Sequence, residues 1–453
     1  MARSLSARAG SIQMTEGSLY KNILLFSVPL IFSQLLQVLF NMADVAVVGK
    51  FSSATALGSV GSTSTLVTLF TGFLIGLSNG VNVRVAQYLG ARQEEDTRNC
   101  VHTALILCTL SGVVIAVLCF FLAAPMLELL KTKDDLLPGA VLYFRIYALG
   151  MPALGIFNFG NAVLSASGDT KRPLAYLTAA GILNVILNLF FVIVCKMAAD
   201  GVALASIISQ YLSAVLVLLH MTHLTDSCRV EWKLLRLHGG EAGRILGLGI
   251  PAGIQGAIFS VSNVFIQSGI NSFGENAIAG SSLALNFEYF TYDIANAFAQ
   301  AAVTFTSQNF GAGDIRRCKR IFRLCLLFGI VFTEILSAVF MVWDDFFVSI
   351  YTSSSAVAVF AVSRMRHVCS LEGLTATYEV ESASLRGMGR SLEPAVFTIL
   401  GTVVFRLIWM ATVFRLFPTY EMLMNVYPAS WIFTGAALLI VYVRQMRRTA
   451  RSM

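Results

Sequence analysis

The sequence predicts an all-α polytopic membrane protein with twelve transmembrane helices in two six-helix lobes. Three observations carry that prediction. First, 56% of the 453 residues are hydrophobic, only 13% are charged, and the mean hydropathy is +0.74, far from the composition of a soluble globular domain. Second, apolar runs of bilayer length recur along the chain, whereas a closed β-barrel would show weakly alternating segments of about ten residues. Third, the second half repeats the punctuation of the first. Pro29, Phe51 and Gly58 recur as Pro251, Phe273 and Gly280. Gln87, Gly90 and Ala91 recur as Gln308, Gly311 and Ala312, and Gly168 and Pro173 recur as Gly389 and Pro394, with one gap aligning the halves.

Residues 1–21 are polar and basic, and the apolar run that follows is too long and lacks the small-residue cleavage pattern of a signal peptide, so the first helix is expected to stay in the protein. Spans are expected near 22–49, 58–83, 100–126, 138–164, 174–195 and 200–221, which form an N-lobe over 22–221. A basic linker covers 222–244. Further spans near 245–270, 278–307, 321–343, 356–386, 394–416 and 426–443 form a C-lobe over 245–443, and a basic tail covers 444–453. Because each half holds an even number of spans, both enter the membrane in the same sense. The pseudo-two-fold axis relating the lobes then runs along the membrane normal, with a central cavity between them, as in alternating-access transporters. A channel or receptor would not require such a duplication.

Lys and Arg fix the orientation. They gather in alternate connections, at 84–98, 171–172, 229–244, 316–323, 386–390 and the tail, while the other side holds only Lys50, Lys131, Lys133, Lys196 and Arg415. Both termini are therefore expected in the cytoplasm, with the chain multi-pass in the plasma (inner) membrane. The net charge of +7 is scattered over loops rather than gathered into a patch, which argues against nucleic acid as a partner. The eight cysteines show no metal-ligand spacing, and His220 with His223 lacks a third ligand, so neither disulfides nor a metal site is expected.

One helix-length run stands apart. Pro29 to Gly49 is mostly apolar but carries Gln34, Gln37, Asn41 and the carboxylate Asp44. A charge within a bilayer-length segment costs roughly 2.5–3.5 kcal/mol even on the lenient insertion scale, so it reads as functional unless Lys50 or a headgroup neutralises it.

The run from Pro29 to Gly61, the Gln-x-x-Gly-Ala pair at 87 and 308, the stretch NAVLSASGDTKRP (Asn161 to Pro173), TAAGILNVILNLFF (Thr178 to Phe191) and AFAQAAVTFTSQNFGAGDIRRCKR (Ala297 to Arg320) together resemble the multidrug and toxic compound extrusion (MATE) family, bacterial type, over nearly the whole chain. The resemblance implies a twelve-helix antiporter that exports organic, often cationic, compounds against an inward flow of Na⁺ or H⁺. It also matches Asp44 to the helix-1 acid of the family's N-lobe cation site, which draws on an Asn and an Asp one turn apart on helix 5. Here that pair reads Asn184 and Asn188, so the site is left with a single carboxylate. Counting rises of about 1.5 Å per residue places Asn188 and Asp44 at similar depth, roughly 8 Å below the outer boundary of a 30 Å core, with Asn184 one turn beneath. The two asparagines read equally well as interhelical hydrogen-bonding glue.

A carboxylate in a poorly solvated cavity holds a proton more readily than one in water, so Asp44 alone would serve H⁺. Sodium would want several oxygens, which Asp44, Gln37, Asn158, Asn184 and Asn188 could supply. The coupling ion, H⁺ or Na⁺, is the only cofactor expected.

The C-lobe spans hold Glu288, Asp293, Glu334, Glu372, Glu379, Glu381 and Arg406. Glu379 and Arg406 fall at one depth, about 15–18 Å up, and are expected to form an ion pair, either structural or part of a site. Glu288 is then expected to be the freer carboxylate, available to a cationic substrate. Pro29 and Pro251, at matched places in the first helix of each lobe, read either as hinges or as fitted kinks. The position repeating Asp44 is Ile266, so the lobes share a scaffold but not this site.

A flippase for lipid-linked oligosaccharides or precursors would share the two-lobe plan but should hold a more cationic cavity than one in which acids outnumber Arg145 and Arg406. An enzyme is disfavoured, because no nucleotide loop, no nucleophile beside a base and no metal-ligand spacing is present. Expected partners are small organic substrates and the lipid bilayer, with the monomer as the working unit.

Overall fold

The computed structural model describes residues 12–452. Of the expected N-terminal segment, residues 1–11 lie outside the described residues, as does Met453 at the end of the expected tail. Among the described residues there are helices and no strands. Helices α1 (Leu19–Phe51), α2 (Ala54–Gly90), α3 (Glu94–Leu129), α4 (Leu137–Ala148), α5 (Met151–Ala166), α6 (Lys171–Leu189) and α7 (Ala199–Thr222) precede the linker. After it come α8 (Gly239–Asn271), α9 (Glu275–Gly311), α10 (Ile315–Val342), α11 (Asp344–Tyr351), α12 (Ser355–His367), α13 (Thr375–Gly387), α14 (Leu392–Thr398), α15 (Phe405–Ala411), α16 (Val413–Leu416), α17 (Tyr420–Met424) and α18 (Val426–Ser452).

Each expected span coincides with a helix or with a helix broken at an identifiable place. The span at 138–164 is the pair α4 and α5, bent by 45° at Leu149 and Gly150. Pro152 stands in the first turn of α5, where its missing N–H costs nothing. A π segment, Phe190–Val194, extends α6, a second, Ile399–Val404, joins α14 to α15, and a 3₁₀ turn, Cys369–Leu374, joins α12 to α13. Among the described residues nine helices are long and apolar enough to cross a bilayer, or ten with the bent pair counted as one. The ones left out, α9 and the α12–α13 segment, carry most of the C-lobe acids.

The sequence repeat is also a backbone repeat. The chain turns through left-handed conformations after α5 and α13, at Gly168 (φ 90°) and Gly389 (φ 81°), and again after α2 and α9, at Arg92 (φ 58°) and Gly313 (φ 78°). Glycine takes this conformation without steric cost, whereas Arg92 takes it against the usual preference of a side-chain-bearing residue.

The chain forms two compact units. The first holds residues 32–257, and the second holds residues 14–31 together with those from 258 onward. The division therefore falls inside α1, two residues after Pro29, and inside α8, six residues after Pro251. In the first unit, the early half of α8 lies against α2 through glycine on glycine, Gly253 at Gly76 and Gly249 at Gly80. Small residues let helix backbones approach to this distance in a bilayer, where burial of apolar surface gives no drive for association. At its basic end α8 is tied to α2 by Tyr88, whose hydroxyl donates to Glu241 (2.7 Å) and accepts from Arg244 (3.0 Å). In the second unit, the carbonyl oxygen of buried Met14 accepts from Asn309 (3.1 Å) and Arg317 (3.2 Å), and Phe26 meets Phe305 edge to face at 5.4 Å.

A side chain at Gly80 would begin 2.6 Å from the Ile245 carbonyl oxygen and 2.7 Å from the Gly249 nitrogen. Gly80→Leu is therefore expected to lower the yield of monodisperse protein sharply in size-exclusion profiles. Gly61→Leu, on the same helix but with no neighbour within 4 Å, should leave the yield near wild type.

Candidate functional site

The first unit gathers a buried polar cluster around Asp44. Asp44 lies on the later half of α1, and α6 faces it with Asn184 and Asn188, four residues apart and hence on one side of the helix. Asn188 Nδ2 donates to Asp44 Oδ1 and to Asn184 Oδ1, the latter at 3.1 Å. Asn184 Nδ2 reaches Ser206 Oγ on α7 at 3.4 Å. Asn188 is fully buried, and its own carbonyl oxygen, Oδ1, has no hydrogen-bond partner among the described residues. Asp44 forms no ion pair there either, and Lys50 lies instead over the Phe51 ring, 5.6 Å from its centroid. The reading in which Lys50 neutralises Asp44 is thus not what the chain does. Asp44 is left as a buried carboxylate whose direct partner is an amide, beside an amide oxygen still able to accept.

The stacked pair Tyr143 and Tyr147 of α4, centroids 6.0 Å apart, lies within electrostatic reach of Asp44, and Tyr147 is hydrogen-bonded to Gln210 of α7. Ser206, Gln210 and these tyrosines were not singled out from the sequence. A glutamine inside the expected span 200–221 was the available signal, since buried polar residues in spans are costly. Two proposed ligands stand apart. Gln37 is exposed on α1, and Asn158, half-buried on α5, has Nδ2 buried without a hydrogen-bond partner and is not bonded to the cluster.

The second unit corrects two expectations. Glu288 is not a free carboxylate. Arg364 of α12 grips it with two parallel bonds, Nε to Oε1 at 2.5 Å and Nη2 to Oε2 at 2.8 Å, and Nη1 donates to Ser281 Oγ at 2.6 Å. Both partners are buried, at 7% and 3% exposure. The expected pair of Glu379 and Arg406 is not formed. Glu379 instead accepts from the Tyr292 hydroxyl of α9 at 3.0 Å. Arg406 donates to Ser430 Oγ (3.1 Å) and to Asn263 Oδ1 (3.2 Å), and the ring of Tyr427 lies beside both arginines, 4.8 Å from Arg406 and 5.3 Å from Arg364. Equal depth does not fix the side of the helix a residue faces, and that is why the pairing fails. The same depth count would have found the true partner, because Arg364 lies about 12 Å in from the outer start of its span and Glu288 about 15 Å.

Of the remaining acids, Asp293 is half-buried on α9, Glu334 Oε1 accepts the Gly373 N–H at 2.8 Å, and Glu372 is buried with Oε2 lacking a hydrogen-bond partner among the described residues. Pro29 and Pro251 sit inside continuous helices.

Comparison with known proteins gives a single answer. The MatE family model matches residues 29–190 and 251–412, one match in each half. The chain is 30% identical over 304 residues to the probable multidrug resistance protein YpnP of Bacillus subtilis, covering 67% of this chain and 68% of that one. It is 22% identical over 396 residues to the probable multidrug resistance protein NorM of Thermotoga maritima, covering 85% and 84%. Among solved structures, the outward-facing conformation of a multidrug resistance MATE family transporter superposes with a TM-score of 0.89 over 99% of both chains at 20% identity.

Proposed function

The chain belongs to the MatE family and is a multi-pass membrane transporter rather than an enzyme, and on that premise we propose that it exports organic, cationic drugs or toxic compounds by alternating access, driven by H⁺ or Na⁺ entering through Asp44. The observation that carries the proposal is the company Asp44 keeps. A buried carboxylate with no cation beside it, bonded to an amide and flanked by the open oxygen of Asn188, is suited to accept a small cation and to release it again. A proton needs only the carboxylate. Sodium would draw on Asp44, Asn184 and Asn188 together, with Gln37 and Asn158 joining only after a rearrangement. In this reading both termini are cytoplasmic, the membrane is the plasma (inner) membrane, the transporter works as a monomer, and Pro29 and Pro251 are hinges in the helices divided between the two units. The C-lobe cluster around Glu288 and Arg364 acts as scaffold, while Asp293 is the C-lobe acid left to meet a cationic substrate.

Inverted vesicles loaded with a fluorescent organic cation test the proposal, with a proton gradient and a Na⁺ gradient imposed separately. A gradient of one pH unit is worth about 1.4 kcal/mol per proton and sustains about tenfold accumulation in one-for-one exchange. Accumulation of that order under one gradient and not the other names the ion. Accumulation under neither rejects coupled export.

A further inference from the structure

Glu381 takes no part in the site described above. It lies on α13, two residues past Glu379 and on another face of the helix, with 2% of its surface exposed, and its Oε2 has no hydrogen-bond partner among the described residues. No Lys or Arg makes an ion pair with it there, and an ionised carboxylate so placed has nothing to replace its lost hydration. At the repeating position the first half of the chain has Gly160, packed tightly against Val217 of α7. The second half has put an acid where the first has a close helix contact.

The surroundings are polar in the same unsatisfied way. Tyr442 of α18 is an electrostatic neighbour of Glu381, Cys318 and Arg323, and its ring stacks on Phe322 of α10 at 4.1 Å. Cys318 is bonded to the Thr306 carbonyl of α9 at 3.8 Å, and Ser384 lies one turn beyond Glu381 on the same face. The Tyr442 hydroxyl, Ser384 Oγ and Thr306 Oγ1 are, like Glu381 Oε2, buried without a hydrogen-bond partner. Each such group costs about 1–3 kcal/mol unless water serves it, and a buried water needs two to four polar partners, which this group of oxygens supplies.

We propose that Glu381, Ser384, Thr306 and Tyr442 line a small hydrated pocket in which Glu381 takes up and gives back a proton, as a second proton site distinct from Asp44. The proton passes from water to Oε2 and returns by the same route, so only O–H bonds form and break. Glu381 is six residues, or about 9 Å, from the end of α13 that leads into the basic loop of Arg386 and Arg390, so exchange takes place on that side of the membrane. The titratable and charged groups around it are Cys318 and Arg323 from α10 and Tyr442 from α18. The facing end of α9 (303–311) contributes none, Glu393 of α14 is half-exposed and held by Arg390 at 3.5 Å, and Glu379 and Arg386 on α13 itself are turned toward Tyr292. The consequence for transport rests on the export reading, but the proton site does not.

Infrared difference spectra of the full-length protein across a pH series, with wild type compared against Glu381→Gln, test the proposal directly. A protonated-carboxyl band that titrates in the wild type and is missing from Glu381→Gln, with its midpoint displaced in Tyr442→Phe, is the expected result. In vesicles, Glu381→Gln should keep gradient-driven export and move the half-maximal pH on the basic-loop side by about half a unit or more. A band from Glu381 that never titrates, or no such band, overturns the proposal. So does an unchanged export profile, and if no export is seen in any variant the infrared titration still decides.

Discussion

Asp44→Asn is expected to give a folded protein that no longer turns an ion gradient into export. The substitution keeps side-chain size, and its amide oxygen still accepts from Asn188, so α1 and α6 lose no packing and no hydrogen bond at that point. What it removes is the only carboxylate of the cluster, and with it the proton acceptor and the one anionic ligand for Na⁺. Gradient-driven accumulation in inverted vesicles should fall to the level seen without a gradient, while binding of the fluorescent cation and the thermal midpoint in detergent stay close to wild type. Accumulation at the wild-type level would remove Asp44 from the mechanism.

Breaking the buried pair of Glu288 and Arg364 should have the largest effect on stability. Taking one partner away strands a charge that has already lost its water, a situation that costs about 3–5 kcal/mol in buried pairs. Arg364→Met should therefore lower the unfolding midpoint severely, because Glu288 loses both of its guanidinium bonds and Ser281 loses its donor. Combining it with Glu288→Gln should recover much of the loss, since the double variant leaves no uncompensated charge. Chemical denaturation of the three variants beside wild type measures this, and additive losses in the double variant would show that the two side chains act independently of each other.

Membership of the helices was legible in the sequence, and so was the group at Asp44. Asp44 sits in an unbroken helix, and Asn184 and Asn188 precede the π segment of theirs, so a regular rise and turn place all three correctly. The C-lobe pairing was not legible, and the backbone gives the reason. The 3₁₀ turn Cys369–Leu374 winds with three residues per turn just before α13, and the π segment Ile399–Val404 adds a residue per turn just before Arg406. Either departure rotates everything that follows around the helix axis while changing its depth little. Counting residues therefore kept the level of Glu379 and Arg406 and lost their direction. Arg364 escaped notice because it lies two residues from Arg366, which is exposed and pairs with Asp344 at 3.2 Å.

The absence of a fixed cation beside Asp44 has an electrical consequence. Under the proposed function the empty site carries one negative charge and the loaded site none, whereas the pair at Glu288 is neutral throughout. Moving one charge across a whole membrane at 100 mV is worth about 2.3 kcal/mol. Asp44 lies roughly 8 Å below the outer boundary of a 30 Å core, so an ion arriving from outside crosses about a quarter of that voltage drop and gains about 0.6 kcal/mol. The remaining three quarters act on its release inward. An interior-negative potential would thus favour both loading and discharge of the coupling ion, and voltage would join concentration as a driving force.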